Sequence, residues 1–310
     1  MSLEALPPEL KMNIASHLQL RELILLRNAS RCWQTLINNN LSLIPRSRRK
    51  LLGLWDDTLR SPYFLPSRHS VTADLYDFDR RQYLASISHG LPLPEEFEVW
   101  VLEWPAKAVI GWMWPGLDRV VVSNEDGCNV FPVPEYQWWQ VVYGHNLLSA
   151  QPTGPDLPLY VWDKATRSED ETSVWERDWN AHLRSNGDRE RLHRRVADDD
   201  VGVAIPVWSA DSNSAYGDER TLDYVLVISG LGATYNCSVQ PFRVQSAHGG
   251  IETVTHLDRD AVERGLWQDG FWTEGLIHAT SWVEWLHRQL ELLDTDYKRF
   301  GTIPLRGYID

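Results

Sequence analysis

The amino end of the chain places apolar side chains at helical spacing in a segment too short to bury them all. Leu10, Ile14 and Leu18 recur every four residues, as on one stripe of an amphipathic helix. The preceding Pro7-Pro8 pair suits a first helical turn, where the missing N–H has no partner in any case. A piece of about 40 residues cannot enclose its apolar groups alone. The stripe must therefore pack on the rest of the chain or on a second protein.

Two more helices are predicted before residue 45. A second apolar run extends from Leu20 to Leu26, and a third helix carries Trp33. Three consecutive asparagines, from Asn38 to Asn40, mark the end of that third helix. No residue between 4 and 44 follows the alternation of a strand, so this region is predicted to be a compact helical module.

This framework resembles the F-box, without a gap. F-boxes open with Leu-Pro, place an Ile on the first helix and end near a Trp on the third. The positions that carry the resemblance are Leu6, Pro7, Pro8, Glu9, Leu10, Ile14, His17, Leu18, Leu20, Arg21, Glu22, Leu23, Trp33 and Leu36. The chain departs from the pattern at Ser30, where many F-boxes have a Cys or a small apolar residue, and Cys32 stands beside the Trp instead.

The resemblance implies a substrate-recognition subunit of an SCF-type E3 ubiquitin ligase, in ubiquitin-dependent protein degradation. Its partners would be a Skp-family adaptor, the cullin of that ligase and a protein target. The residues expected to bind the adaptor are Leu6, Pro7, Leu10, Ile14, Leu18, Leu20, Leu23 and Trp33. Two alternatives stay open: these side chains pack on the carboxyl-terminal part of the same chain, or they serve an interaction adaptor outside any ligase.

The rest of the chain divides into a linker and a larger domain. Residues 46–72 hold the basic run Arg46 to Lys50 and two prolines, which favours a solvated linker or helix end over a nuclear-localisation signal. Residues 73–310 are predicted to form an α+β domain with a mostly antiparallel sheet, interrupted by an exposed, partly mobile polar insertion at about 150–220. The fold class is therefore α+β, with a three-helix module at the amino end.

Local patterns place the elements of this larger domain. Helices are predicted at Asp79–His89, Glu95–Trp104, Val174–Leu183 and Ser281–Leu293. Strands are predicted at Val109–Trp114, Arg119–Ser123, Gln137–Tyr143, Val201–Trp208, Thr221–Ser229, Thr234–Val239, Phe242–Gln245 and Thr253–Leu257. Sixteen tryptophans favour an aromatic core over an aromatic binding surface.

The order of these elements is similar to that of the SUKH superfamily of protein-binding domains. The resemblance is carried by Leu91 to Phe97 at a helix start, by Trp112 to Gly116, by the strands from Thr221, and by the closing helix from Ala279 to Leu286. It spans about residues 73–293 and implies an α+β domain that binds other proteins and has no catalytic centre.

Composition limits the partners. The formal net charge of −13 argues against general nucleic-acid binding, which needs Lys and Arg to neutralise phosphates. No apolar run reaches transmembrane length, and the first residues lack the pattern of a secretory signal. Three distant cysteines, Cys32, Cys128 and Cys237, form neither a disulfide framework nor a CxxC zinc pair. We expect a protein of the cytosol, the nucleus or both, without membrane association.

Candidate catalytic patterns are weak, so no enzyme activity, cofactor or metal is expected. Glu95, Glu96 and Glu98 stand at a predicted helix start, where the helix dipole accounts for them better than an acid/base pair does. His182 and His193 lack further metal ligands, and Asp198 to Asp200 lack the spacing of a calcium loop. An enzyme in the carboxyl-terminal domain is the remaining alternative.

Overall fold

The computed structural model describes residues 5–111, 113–118, 144–150, 160–163, 186–198, 201–212, 220–229, 238–246, 252–256 and 279–300. The helices are α1 Pro8–His17, α2 Leu20–Ala29, α3 Arg31–Asn39, α4 Arg46–Arg60, α5 Phe64–Ala73, α6 Arg80–Ser88, α7 Glu95–Glu103, α8 Asn186–Ala197 and α9 Trp282–Phe300. The strands are β1 Gly144–Asn146, β2 Tyr160–Asp163, β3 Val201–Ser212, β4 Arg220–Ser229, β5 Val239–Ser246 and β6 Glu252–His256. Short 3₁₀ turns follow α3 and α7.

Helices α4 and α7 form the hub on which the other helices pack. Helix α4 contacts α2, α5, α7 and α9, and α7 also contacts α2, α6 and α9. Two glutamates of α7 bind a basic side chain of α4 and the amino end of a third helix. Glu96 pairs with Lys50 and accepts the Val283 backbone N–H of α9. Glu103 pairs with Arg48 and accepts the Leu20 backbone N–H of α2. Helices far apart in sequence are therefore joined at one hub.

The described strands form one antiparallel sheet, in the order β1-β3-β4-β5-β6, with β2 on the same edge of β3 as β1. Strand β3 is the longest, and its residues 201–207 are all buried. The sheet meets the helices through an isolated bridge between Val239 and Ala279 and through the rings of Tyr224 and Trp285, whose centroids lie 5.9 Å apart. The amino end of α9 thus joins the sheet to the helical hub.

An aromatic cluster fills the centre of the helical part. Trp100 lies between Trp114 and Trp282, with ring centroids 4.9 and 5.0 Å away in edge-to-face geometry. Phe97 and Trp285 extend the cluster on both sides of Trp282, and all five side chains are buried. Edge-to-face aromatic pairs contribute about 1 kcal/mol each beyond the area they bury. The prediction of a tryptophan core is confirmed for these residues.

Most predicted helices and several strands are found where the sequence places them. The three amino-terminal helices, α6 and α7 match their predicted ranges. Helix α9 begins where predicted, with Ser281 accepting the Glu284 backbone N–H as its cap, but it continues past Leu293 to Phe300. Strands β4 and β6 match, β3 continues past Trp208 to Ser212, and β5 covers the predicted Phe242–Gln245 strand. The helical amino end and the antiparallel sheet agree with an α+β fold class.

Three predictions about the middle of the chain are wrong. Residues 46–72 are not a solvated linker, because helices α4 and α5 occupy most of them and Leu51 and Leu54 are fully buried. Residues 109–111 and 113–114 are not a strand, because the chain turns at Gly111 with φ of 59°. The interval 150–220 is not simply an exposed insertion, because it contains β3, the strand that joins β1 and β2 to the rest of the sheet.

The remaining predictions lie outside the described residues. These are the strands predicted at 119–123 and 137–143, the helix at 174–183, and most of the strand at 234–239. Within the described part, no helix is both long and apolar enough to span a bilayer.

Candidate protein-docking face

Helix α1 presents an apolar stripe that no described residue covers. Leu10 is 51% exposed and Ile14 37% exposed, and they lie one helical turn apart on the same side of α1. Pro7 is exposed just before the helix, and Leu6 and Leu18 are half-buried at its two ends. We define these five residues, Leu6, Pro7, Leu10, Ile14 and Leu18, as the α1 face.

The other predicted adaptor-binding residues lie beneath this face. Leu20 and Leu23 have no exposed surface in this structure, and Trp33 is 3% exposed. Their assignment to the adaptor-binding set stays a prediction, and the role that this structure gives them is to support the face from within. Together with Met12 and Ala15 of α1, they form the buried side of the three-helix module. Helical spacing shows that apolar residues share one side of a helix, but it does not show whether that side faces the core or the solvent.

Packing on the same chain, the alternative to adaptor binding, is therefore observed for the buried residues and not for the exposed residues of α1. Leu20 and Leu23 belong to the continuous core that extends into α4, α7 and α9. Leu10 and Ile14 remain open to solvent. One helical module thus supplies both a core contact and an uncovered surface.

A shallow groove between α1 and α3 lies beside the α1 face. It is lined by Pro8, Lys11, Arg31, Cys32, Thr35, Leu36, Asn39 and Asn40. The ammonium of Lys11 lies 3.8 Å from Cys32 Sγ and 5.8 Å from the centroid of the Trp33 ring. This groove could not be predicted from the sequence, since only the packing of α1 on α3 brings residues 8–11 beside residues 31–40.

The departure at Ser30 has a structural reason. Its hydroxyl accepts a hydrogen bond from the Trp33 backbone N–H at 3.4 Å and so caps α3. Serine is among the residues preferred at this position, because its oxygen satisfies a free N–H of the first turn. Helix α2 has its own reciprocal cap, in which Glu22 accepts the Gln19 backbone N–H at 3.0 Å.

Glu103 fixes the helical module to the rest of the molecule. Its carboxylate accepts the Leu20 backbone N–H, the first of α2, at 2.6 Å. Arg48 donates to the same carboxylate from Nε at 2.8 Å and from its terminal nitrogen at 2.6 Å. The hydrogen bond to Glu103 raises the pKa of Arg48, so the arginine stays charged against burial. The helix dipole disfavours a carboxylate at the carboxyl end of α7. The hydrogen bonds from Leu20 and Arg48 therefore offset this cost and hold Glu103 in place.

A second ion pair joins α2 to α4. The Arg27 guanidinium is 7% exposed and forms two hydrogen bonds with the Asp56 carboxylate, one of them 3.0 Å long. Such fork-shaped pairs fix orientation as well as distance. The α1 face is therefore carried on helices that are held to the hub from two sides.

Arg80 binds the same carboxyl end of α7. One of its terminal nitrogens donates to the backbone oxygens of Val101, Leu102 and Trp104 at 2.9–3.1 Å, where the helix leaves its carbonyls without partners. Its guanidinium centre lies 5.0 Å from the centroid of the Trp114 ring. Burial lowers the pKa of Arg80.

The candidate metal and acid/base residues do not assemble into a catalytic site in the described part of the chain. No group of three or more His, Cys, Asp or Glu is close enough there to hold a metal ion. Glu96 is bound to Lys50 and α9, and burial followed by the charge of Glu95 raises the pKa of Glu98. His193 contacts a backbone carbonyl, while His182, Asp199 and Asp200 lie outside the described residues.

Comparison with known proteins agrees with the amino-terminal resemblance. Residues 3–47 match the F-box-like family, a range that covers α1, α2 and α3. No curated protein and no solved structure matches the chain. F-box domains generally bind Skp adaptors, so the match indicates an adaptor-type function of the SCF kind.

Proposed function

We propose that this protein is the substrate-recognition subunit of an SCF-type ubiquitin ligase. The α1 face docks onto the Skp adaptor, the adaptor joins the chain to the cullin, and the sheet-containing body recruits a protein target. The observation that carries the proposal is the exposure of Leu10 and Ile14 within the residues that match the F-box-like family. An uncovered apolar face of this kind marks a protein-interaction site.

The chain itself makes and breaks no bonds in this proposal. It raises the concentration of a target near the ligase, which accelerates ubiquitin transfer by proximity alone. It acts without a cofactor, in the cytosol or the nucleus. Residues 73–293 act as a protein-binding domain, as the resemblance of the sequence to the SUKH superfamily implies.

The fixed attachment of the α1 face supports a positional role. Glu103 and Arg48 hold the start of α2, and Arg27 holds α2 to α4. A target bound to the body would therefore keep a constant orientation toward the adaptor. Constant orientation is what a proximity-based mechanism requires.

The decisive experiment is capture of purified Skp adaptor by the immobilised full chain. We expect Leu10→Asp combined with Ile14→Asp to weaken capture by at least about tenfold, because two charges would be buried against apolar groups of the adaptor. The matched control is Leu59→Asp combined with Leu65→Asp. These leucines are 46% and 70% exposed and lie outside residues 3–47, so the control should capture as the wild type does.

Folding is checked on the same samples by thermal unfolding, since all four leucine and isoleucine positions are solvent-exposed and should leave the midpoint unchanged. Equal capture by the wild type and the α1 variant would overturn the docking proposal. Capture that never leads to ubiquitin transfer after addition of cullin, RING subunit and conjugating enzyme would favour the adaptor outside a ligase.

A further inference from the structure

Lysine is scarce among the basic side chains of this protein. Of the 30 basic residues, only Lys11, Lys50, Lys107, Lys164 and Lys298 are lysines, and the rest are arginines. Lysine is ordinarily among the commonest residues of soluble domains, so its scarcity is a particular feature of this sequence. Lys164 lies outside the described residues. The other four lysines differ in how far their side chains reach solvent.

Arginine carries the same charge as lysine but differs from it in chemistry. The lysine ammonium can lose a proton and then act as a nucleophilic amine, and it is the side chain to which ubiquitin is attached. The arginine guanidinium keeps its proton in proteins, so it offers no such nucleophile. Arginine in place of lysine therefore preserves the positive charge of a surface and removes its ubiquitin acceptors.

Two of the described lysines have their amines engaged within the fold. Lys11 is 6% exposed, and its Nζ lies 3.8 Å from Cys32 Sγ and 5.8 Å from the centroid of the Trp33 ring. Lys50 is half-buried, and its ammonium forms an ion pair with the Glu96 carboxylate. Such an amine reaches a reactive carbonyl of a second protein only if these contacts break. Neither lysine is therefore suited to modification in the folded chain.

The other two described lysines are exposed and stand on hydrogen-bonded backbone. Lys107 lies in the short 3₁₀ turn that follows α7. That turn is held by Arg68, which donates to the Lys107 backbone oxygen at 2.9 Å, and by the Trp104 indole, which donates to the Ala108 oxygen at 2.8 Å. Lys298 is exposed in the last turn of α9. Both side chains are open to an incoming enzyme.

We infer that Lys107 and Lys298 are the sites at which the ligase attaches ubiquitin to this chain itself. The inference rests on the proposed function, since a ligase subunit is held beside a ubiquitin-loaded conjugating enzyme. The lysine Nζ, after losing its proton, attacks the thioester carbonyl that joins the carboxyl terminus of ubiquitin to a cysteine of that enzyme. An amide bond forms at Nζ, the carbon–sulfur bond breaks, and the cysteine leaves as a thiolate.

A small number of acceptors spares the receptor while it works. The receptor stays beside the conjugating enzyme for as long as its target does, so each exposed lysine on it competes with the lysines of the target. The described surface carries exposed arginines, Arg81 and Arg191 among them, where lysine would bring the same charge together with an acceptor. Arginine at such positions confines self-modification to defined sites, and those sites set how fast the receptor itself is removed.

The test is self-ubiquitination of the full chain with purified Skp adaptor, cullin, RING subunit, activating and conjugating enzymes, ubiquitin and ATP. Modified lysines are mapped by mass spectrometry, and every sample carries Lys164→Arg to remove the acceptor outside the described residues. Lys107→Arg combined with Lys298→Arg should lower self-ubiquitination to about one tenth or less, because arginine is not an acceptor. Lys11→Arg combined with Lys50→Arg is the matched control and should leave it unchanged.

The reverse exchange tests the protective effect of arginine. Arg81→Lys combined with Arg191→Lys should add two modified positions and raise self-ubiquitination at least about twofold. The inference is overturned if the chain is not modified, if the control pair carries the modification, if the Lys107 and Lys298 exchange has no effect, or if the introduced lysines stay unmodified. Any of these results with intact Skp-adaptor capture leaves the docking proposal standing, whereas failed capture by the wild type overturns the proposed function itself.

Discussion

The α1 face and the side of α8 that carries Arg191 and Arg194 are both outward sides of packed helices, but they differ in chemistry and in support. The α1 face is apolar and rests on Met12, Ala15 and Leu20, which continue into the main core. The side of α8 carries two exposed arginines, and the helix is held by Leu192 and His193. An apolar face over a deep core suits a partner that stays bound, because the burial of apolar surface slows the dissociation of the complex. A charged face suits rapid, salt-sensitive encounters.

The first test of this comparison separates core from surface within one helical module. Leu23→Ala should lower the free energy of unfolding by about 2–5 kcal/mol, because the side chain is fully buried and leaves a cavity. Leu10→Ala removes the same atoms from an exposed site and should change stability by about 0.5 kcal/mol or less. Urea unfolding measures both. Similar losses in the two variants would show that the α1 face is covered by its own chain.

The second test concerns the attachment of the α1 face. Glu103→Ala should cost about 3 kcal/mol, because it leaves Arg48 without its carboxylate and the Leu20 N–H without an acceptor. Hydrogen exchange at the Leu20 amide should accelerate, and Glu291→Ala, at an exposed acid of α9, is the control. A Leu20 amide that exchanges at the same rate in both variants would contradict the role given to Glu103.

The third test concerns the attachment of α8. Gly90 has φ of +84°, and a methyl group there would press on His193. Gly90→Ala should cost about 1–2 kcal/mol and release α8, so trypsin should cleave after Arg191 and Arg194 faster than in the wild type. Gly53→Ala is the matched control, since nothing lies within 4 Å of its added carbon and α4 should gain slightly in stability. Unchanged cleavage after Gly90→Ala would mean that α8 is held otherwise.

The smallest effect concerns the amino end of α9, away from both faces. Burial would raise the pKa of Glu284, but hydrogen bonds from Thr280 and Arg288 outweigh it and lower that pKa below 4.5. A lowered pKa in the folded state stabilises above the unfolded value and loses that effect as pH falls through the folded value. The melting temperature of Glu284→Gln should therefore lie slightly below that of the wild type at neutral pH and converge with it as the pH falls through the lowered pKa of Glu284. A constant difference would exclude ionic stabilisation.

The sequence predicts most of the helical architecture, because caps and apolar spacing are local signals. Leu10 and Ile14 could be recognised from their spacing, and so could α7 and α9 from their first turns. The α4 helix was missed because its basic first turn is typical of a solvated segment. Its Lys50 and Arg48 side chains instead form ion pairs with Glu96 and Glu103, which are 46 and 55 residues away in the chain. Only the tertiary structure brings these partners together.

The candidate site was predicted in part for the same reason. Periodicity selected Leu20, Leu23 and Trp33 together with Leu10 and Ile14, since both groups have helical spacing. Which group faces outward depends on α4 and α7 packing against α2, a contact between distant segments. The packing of α8 on β3 through Leu192 could not be predicted either, because it joins segments that no local pattern relates.

The role of Glu103 also bears on how the molecule can be divided in the laboratory. A fragment ending near residue 45 would keep the α1 face but lose the acceptor of the Leu20 N–H, the Arg48 guanidinium and the α4 leucines that cover α2. Grafting that fragment onto another receptor would transfer the α1 face without the contacts that hold α2 in place. Exchange experiments should therefore not cut after α3, and a cut after α7 would in turn remove Trp114 and Trp282, which pack on Trp100.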